Sequence, residues 1–179
     1  YLSYIVNIFV LDSNPTNCAK QHLDRHVVKM ILESAQMICT THHLHRDLDI
    51  EDYEIPYKKT HTNHPCTKWV RSSLSNYKWL MELTKELNTE YRYRYDKDVN
   101  HKSWDKIKYL PLPALDDFGL TRWARAMPDE CKIGNDVVSS YRNYYNTEKL
   151  NIMTYKKRCH ALNPCTSKEK KFLKTKKKI

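Results

Sequence analysis

A polar stripe runs along residues 21–41, and nearly all the other residues of this stretch are apolar. At about 100° per residue in an α-helix, the stripe is roughly 80° wide. A helix that is apolar almost all round is buried, so its polar groups need partners inside the protein. The stripe has six members, which are His22, His26, Lys29, Glu33, Gln36 and Thr40. Two imidazoles, an amine and a carboxylate on one face indicate a candidate active site.

The amine and the carboxylate of this stripe suit Schiff-base chemistry at a sugar carbon. Lys29 is the internal amine best placed to attack, and burial would lower its pKa to a useful value. Glu33, one turn further on, is the carboxylate that would stabilise positive charge and move protons. His26 is the third candidate catalytic residue, while His22 and His64 would hold phosphate or transfer protons. This chemistry is that of a DNA glycosylase with lyase activity.

Two other interpretations of the stripe remain open. Histidines at i and i+4 can reach one ion, and a carboxylate would complete a site for Zn²⁺, Mn²⁺ or Fe²⁺ in a nuclease or phosphohydrolase. The ligands of that divalent metal ion would be His22, His26, Glu33, His61 and His64. The amine chemistry needs no cofactor. In the purely structural interpretation, Lys29 and Glu33 form an ion pair along the helix.

Two further stretches favour nucleic acid as a partner. A helix start is predicted at Pro65, capped by Asn63 or His64, and the free amides of such a start attract anions. Residues 91–95 alternate aromatic and basic side chains, which suits base stacking and phosphate contact unless the tyrosines pack on the core. The predicted nucleic-acid contacts are His22, His64, Lys68, Arg71, Tyr91, Arg92, Tyr93, Arg94 and Arg142.

The elements that would position these residues are mostly helical by their apolar periodicity. A short strand is predicted over residues 5–11, and Asn14 followed by Pro15 predicts a helix start. Helices are then predicted over 21–41, over 66–91, and from Asn135 or Asp136 to about 150. Residues 110–134, with their prolines and glycines, are predicted to be irregular. The predicted fold class is mainly α, a single helical domain with one short N-terminal β-strand.

Charge is unevenly distributed along the 179 residues. The net charge is +10, and residues 156–179 hold ten Lys or Arg residues against the single acid Glu169. We therefore predict a helical domain over 1–155 and a basic, flexible C-terminal tail over 156–179. Such a tail binds polyanions without sequence preference, or serves as a localisation signal.

The cysteine pattern indicates a reducing compartment, and the hydropathy of the chain bears on membrane spans. None of the six cysteines forms a CxxC pair, and Cys39 falls in a predicted buried helix, which favours free thiols. No run of about 18 apolar residues occurs, so no membrane span is predicted. The first ten residues lack a basic region, so no signal peptide is predicted either.

Six segments of the chain together resemble a family of small proteins from bacteriophages and large DNA viruses. They include Asn-Ile-Phe-Val-Leu-Asp at 7–12 and Ala-Met-Pro-Asp-Glu at 126–130. All six lie at 7–12, 22–36, 61–80, 90–95, 126–132 and 141–145. The resemblance extends from residue 7 to about residue 149, and it brings no particular activity with it.

A weaker resemblance, over about a third of the chain, is to the pyrimidine-dimer DNA glycosylases. It rests on Asn63-His64-Pro65 with the helix after it, on Tyr93 to Lys97, and on Gln21-His22-Leu23. The resemblance implies a small helical enzyme in which the amine of a processed N-terminal residue attacks beside a helix glutamate. Here the position at that glutamate's spacing is Lys29, so the mechanism does not carry over directly.

The sequence therefore favours a DNA glycosylase and AP lyase acting on damaged or modified pyrimidines. A metal-dependent nuclease or phosphohydrolase is the alternative, and a non-enzymatic viral nucleic-acid-binding protein is the second alternative. In each case DNA is the expected partner, with no membrane involved. The expected location is the cytoplasm or nucleus of the infected host cell.

Overall fold

The computed structural model of the chain describes residues 6–50 and 52–158. It is mainly helical, as the sequence predicts. The helices are α1 (Pro15–Gln21), α2 (Asp24–Leu44), α3 (Pro65–Arg71), α4 (Leu74–Arg94), α5 (Lys102–Ile107) and α6 (Val137–Glu148), with 3₁₀ turns at Asp129–Cys131 and Leu150–Ile152. Helix α2 packs against α3, α4 and α5, and α1 packs against α4. The core lies between these helices and the segment that precedes α1.

The strand predicted over residues 5–11 is not formed in the described part of the chain, where the only β-type pairing is an isolated bridge between Ile133 and Asp136. Residues 6–11 are instead an irregular segment buried in the core. Its backbone groups find partners outside any sheet. Thus Leu11 N donates to Phe9 O, and the Cys18 thiol donates to the same carbonyl. The apolar run that predicts a strand reflects burial on every side, with no neighbouring strand to pair with.

Three predicted helix starts, those of α1, α3 and α6, are confirmed because they depend on local chemistry. The Asn14 side chain accepts from Asn17 N at 3.0 Å at the start of α1, where Pro15 is the first helical residue. At α3 the cap is His64, whose Nδ1 accepts from Cys66 N at 3.1 Å. At α6 the cap is Asp136. In each case a side chain satisfies an amide that has no partner within its own helix.

Two predicted helices have different bounds in the structure. The helix predicted over 21–41 begins only at Asp24, and the backbone at His22 and Leu23 is extended. The helix predicted over 66–91 is interrupted at Ser72 and Ser73, so α3 and α4 are separate. At this interruption Leu74 N donates to Asp116 O at 2.9 Å. A distant loop therefore satisfies an amide that a continuous helix would have bonded internally.

The folded body extends beyond the boundary predicted at residue 155. Lys156 N donates to both carboxylate oxygens of Asp24, at 2.9 and 3.0 Å. Arg158 forms an ion pair with the buried Glu90 at 2.6 Å. Residues 156–158, assigned to the tail on charge alone, therefore contact the helical body. The rest of the predicted tail lies outside the described residues.

The cysteines and the helices of the structure can be compared with the predictions of free thiols and of no membrane span. The four cysteines in the described part of the chain, at 18, 39, 66 and 131, are free thiols and buried. Within the same residues, every helix is too short or too polar to cross a lipid bilayer.

Candidate functional site

Glu33 is a nearly buried carboxylate at the centre of the candidate site. One oxygen lies 3.2 Å from Lys29 Nζ, and the other accepts from the backbone N–H of Asn7 at 3.2 Å. Burial raises the pKa of Glu33, while the charge of Lys29 and both hydrogen bonds act in the opposite direction. A carboxyl group of this kind is suited to exchange protons with a neighbouring group.

The sequence predicts a buried Lys29, but its side chain is 57% exposed in the structure. The residue lies on α2 at the edge of the apolar face, and its stem reaches outward from the core. The expectation that this amine is buried is therefore wrong. What the structure provides is an accessible amine beside a protected carboxylate.

His26 lies beneath this surface in an aromatic cluster. Its Nδ1 is 2.7 Å from the Tyr145 hydroxyl, and its ring stacks on Phe9 with centroids 4.2 Å apart. Burial, together with the nearby His22, Lys149 and Lys29, lowers the pKa of His26 to about 2. The imidazole is therefore neutral near pH 7 and acts as a hydrogen-bonding group.

His22 lies outside α2 and has no exposed surface. Its Nδ1 donates to the Cys18 carbonyl at 2.8 Å, and burial lowers its pKa to about 4. His22 is enclosed by the protein, so its ring does not reach an anion at the surface. It is also neutral near pH 7, and both features contradict the predicted phosphate contact. Its Nε2 has no hydrogen-bond partner within the described residues.

Asn7 connects the candidate site to two other segments. Its side-chain amide donates to Ala126 O at 2.7 Å, and its side-chain oxygen accepts from the Tyr141 hydroxyl at 2.9 Å. The Cys66 thiol, at the start of α3, also contacts that oxygen at 3.6 Å. Sequence reasoning did not single out Asn7, although its conspicuous place between apolar residues is a signal for a buried polar role.

Lys149 is a second lysine at this site that sequence reasoning missed. It is half-buried, with Nζ 4.9 Å from the centroid of the Tyr144 ring. Burial lowers the pKa of Lys149, and the charge of Lys29 lowers it further. Lys149 and Lys29 are 120 residues apart in the chain and are brought near each other by tertiary packing. The sequence pattern therefore does not predict that they act on each other.

The predicted anion site at α3 is already partly used by the protein. His64 caps the Cys66 amide with its own ring nitrogen, and burial lowers the pKa of His64. His61 bonds the Thr60 hydroxyl at 2.9 Å, while Lys68 on the next turn is exposed. One donor of Arg71, Nη1, is buried without a partner in the described part of the chain. The structure therefore leaves Lys68 as the accessible cation of this group.

The aromatic and basic run 91–95 does not form a stacking surface. Arg94 is fully buried and bonds Glu90 at 2.9 Å and Asp24 at 3.2 Å, which is incompatible with the predicted contact to nucleic acid. The guanidinium of the exposed Arg92 donates to the Asp98 carbonyl at 3.1 Å.

The tyrosines of the same run also have partners within the protein. The Tyr91 ring packs against Tyr95 and His101. The Tyr93 ring is covered by the guanidinium of Arg158, 4.5 Å from its centroid. The structural interpretation of this run, as a helix end whose tyrosines pack on the protein, therefore fits its geometry.

Arg142 has an anchoring role in the structure. Its Nε donates to Leu11 O at 2.9 Å, and its Nη2 donates to the Gln21 side chain at 3.3 Å. These bonds attach α6 to the segment before α1 and to the last residue of α1. The half-exposed guanidinium is therefore already engaged where a phosphate contact was predicted.

The ligands predicted for a metal ion are not brought together. Across 6–50 and 52–158, the structure holds no cluster of three or more His, Cys, Asp or Glu side chains arranged as metal ligands. His22 and His26 each use Nδ1 for an internal contact, to a carbonyl and to a tyrosine hydroxyl respectively. The metal-dependent alternative stays a prediction that this geometry does not support.

A cavity of about 360 Å³ lies at the other end of α2, lined by His42, His43, Arg46 and Ile55. The His42 ring contacts the hydroxyls of Tyr53 and Tyr77, each at 2.7 Å. Both ring nitrogens of His42 are thus engaged, and Arg46 is paired with Asp52, so two of the four lining residues are held by internal contacts.

Comparisons of the chain with family models, with curated proteins and with solved structures found no match. The case for a function therefore rests on the site geometry and on the motifs of the sequence.

Proposed function

We propose that the protein is a DNA glycosylase and AP lyase that acts through an amine nucleophile and a carboxylate. The observation that supports this most is the pairing of the exposed Lys29 amine with the nearly buried Glu33 carboxylate at 3.2 Å. The neighbouring Lys149 adds positive charge that would attract a phosphate backbone. The partial resemblance to pyrimidine-dimer glycosylases points to the same chemistry.

In the proposed reaction, Glu33 takes a proton from the Lys29 ammonium, and the free amine attacks C1′ of the damaged nucleotide. The C1′–base bond breaks as the C1′–nitrogen bond forms, and the departing base takes up the proton held by Glu33. The sugar ring then opens to an imine. Loss of a C2′ proton breaks the C3′–oxygen bond, and hydrolysis frees the sugar fragment from Lys29.

Sodium borohydride trapping tests this proposal, because it reduces the imine to a permanent bond between protein and DNA. The substrates are duplexes that contain an abasic site or a UV-induced pyrimidine dimer. We expect the wild-type band to disappear in Lys29→Ala and to remain in Lys85→Ala. Lys85 is a matched control, since it also pairs with a glutamate, Glu82, at 3.2 Å on a helix surface.

Glu33→Gln supplies an independent readout of the same mechanism. We expect base release to fall by about 10²–10⁴-fold, the usual contribution of a positioned acid–base group. The amine would still form an imine with an abasic site that already exists, so trapping there should persist. Absence of a band with both substrates would overturn the proposal and leave the metal-dependent and non-enzymatic alternatives.

A band that survives Lys29→Ala would exclude Lys29 and assign the attack to another amine of the chain. If Lys29→Ala gives no band, a variant that begins at Asn7 tests whether an α-amine placed at Glu33 can replace the lysine. The backbone nitrogen of Asn7 is 3.2 Å from Glu33, and the glycosylases that the chain resembles use an N-terminal amine beside a glutamate. A variant released by a specific protease so that it begins at Asn7 would hold its α-amine at this carboxylate. Trapping by that variant carrying Lys29→Ala would assign the nucleophile to the α-amine.

A further inference from the structure

Two apolar side chains project from a turn between α5 and α6. Phe118 is 74% exposed and Leu120 is 48% exposed, with Gly119 between them. Gly119 has a φ of +78°, a backbone conformation that glycine adopts without strain. We call residues 117–121 the apolar turn. Large exposed apolar groups cost free energy in water unless they serve an interaction.

The apolar turn is fixed at its first half by hydrogen bonds to the start of α4. The Asp117 carboxylate accepts from the backbone amide and the hydroxyl of Ser75, at 3.1 and 2.6 Å, and from Gly119 N at 3.0 Å. Phe118 N donates to the buried hydroxyl of Ser73 at 3.0 Å. These donors lower the pKa of Asp117, so the carboxylate stays ionised and its oxygen is engaged within the protein.

The second half of the apolar turn is fixed equally well. Thr121 N donates to the Asn76 side-chain oxygen at 2.9 Å, and the Asn76 amide donates to the Thr121 hydroxyl at 2.7 Å. Trp69 Nε1 also donates to Thr121 O at 3.3 Å. Hydrogen bonds on both sides of Phe118 hold the backbone in place, so the ring remains displayed to solvent.

The chain that follows the apolar turn is basic and leads to the candidate site. Arg122 is exposed and Arg125 is half-exposed. Each donates through one terminal nitrogen to a carbonyl of the 134–135 loop, whereas Arg142 is engaged through two of its nitrogens. The segment then reaches Ala126, whose carbonyl holds Asn7 beside Glu33. Eight residues separate Phe118 from Ala126, so the two lie at most about 28 Å apart.

We propose that Phe118 and Leu120 form a wedge that enters the base stack of duplex DNA while Arg122 and Arg125 contact its phosphates. This inference rests on the proposed function, because an enzyme that acts on a base must take the nucleotide out of the stack. Apolar side chains inserted between base steps are an established means of unstacking them. A protein partner is the less favoured occupant, since a stable protein interface engages about 20–30 residues on each side.

Fluorescence of 2-aminopurine in a DNA duplex tests the wedge without requiring catalysis. The probe is a duplex with a tetrahydrofuran abasic analogue, which cannot form an imine, and a 2-aminopurine next to it. We expect wild-type protein to raise the fluorescence by unstacking the reporter. Phe118→Ala should abolish at least half of that rise and weaken duplex binding by about tenfold, in line with the loss of one stacking contact.

Matched controls separate the wedge from a general loss of binding or of folding. Val99→Ala removes an apolar side chain that is 62% exposed elsewhere on the surface, and it should behave as wild type. Phe118→Leu should retain part of the fluorescence rise because leucine can also enter a base step. Binding to the same strand without its complement should be equal in wild type and Phe118→Ala, because no duplex stack has to open.

The outcomes distinguish this inference from the proposed function. Unchanged fluorescence and duplex affinity in Phe118→Ala would overturn the wedge, even if borohydride trapping succeeds. Loss of the fluorescence rise in Phe118→Ala would support the wedge even if no base release or trapping is found. Failure of the wild-type protein to bind the duplex would overturn both.

Discussion

The environment of Glu33 gives this residue a chemistry that other helix-surface carboxylates lack. Glu33 and the exposed Glu82 both lie 3.2 Å from a lysine on their own helix. Only Glu33 is also bonded by a backbone amide from a distant segment, and only Glu33 is withdrawn from water. A lysine–glutamate pair along a helix can therefore lie in very different surroundings, at i,i+4 and nearly buried for Glu33 and at i,i+3 on the open surface for Glu82.

We predict that the contribution of Glu33 to stability depends on pH. Its pKa in the folded state is raised by burial, so the unfolded chain loses this proton at a lower pH than the folded protein does. Ionisation therefore destabilises the folded state as the pH rises through the raised pKa. Urea unfolding at pH 4, 5, 6 and 7 should show Glu33→Gln gaining stability relative to wild type as the pH increases. A constant difference between Glu33→Gln and wild type across this pH range would contradict the raised pKa of Glu33.

The sequence predicts only the part of this site that is local. The pairing of Lys29 with Glu33 follows from their spacing of four on one helix. The exposure of Lys29 depends on which residues cover α2, and Asn7 and Lys149 reach the site from 26 and 116 positions away from Glu33 in the chain. Contacts of this kind are set by tertiary packing, which a periodic pattern does not report.

At the scale of elements, the interruption between α3 and α4 is what holds the apolar turn. Ser73 is fully buried, and its hydroxyl accepts from Phe118 N at 3.0 Å and donates to Gly119 O at 2.8 Å. Apolar periodicity continues through Ser73, so it predicts an unbroken helix here. Caps at Asn14, His64 and Asp136 were predictable because the residues that make them are neighbours in sequence, whereas this interruption needs a partner more than 40 residues away.

We expect Ser73→Ala to destabilise both the protein and the apolar turn. The change leaves the Phe118 amide and the Gly119 carbonyl without their buried partner, which costs about 1–3 kcal/mol in the free energy of unfolding. Ser72→Ala is the control, because the Ser72 side chain is exposed and donates to Trp69 O within its own turn. Urea denaturation gives the free energies, and amide hydrogen exchange should accelerate at Phe118 in Ser73→Ala alone. Equal stability of the two variants would contradict the anchoring role of Ser73.

At the scale of the whole molecule, Arg94 on α4 bonds the junction between α1 and α2, which lies at least 70 residues earlier in the chain. Its guanidinium donates to the carbonyls of Lys20 and His22, at 2.9 and 2.6 Å, where α1 ends. It also pairs with Asp24 at the start of α2 and with Glu90 on its own helix. The charges of Arg94 and Arg158 hold the pKa of Glu90 below its usual value despite burial. The network thereby joins α1, α2, α4 and the segment that ends at residue 158.

We predict that Arg94→Ala destabilises the protein by about 3–5 kcal/mol, because it removes one partner of a buried ionic network and leaves Asp24 and Glu90 with uncompensated charge. Arg92→Ala is the matched control two positions away, since that guanidinium is exposed and bonds only loop carbonyls. Its effect should stay within about 0.5 kcal/mol. Thermal and urea unfolding measure both variants. A large loss of stability in Arg94→Ala alone would show that the buried ionic network around Arg94 stabilises the fold. Nearly equal stabilities of the two variants would contradict that role.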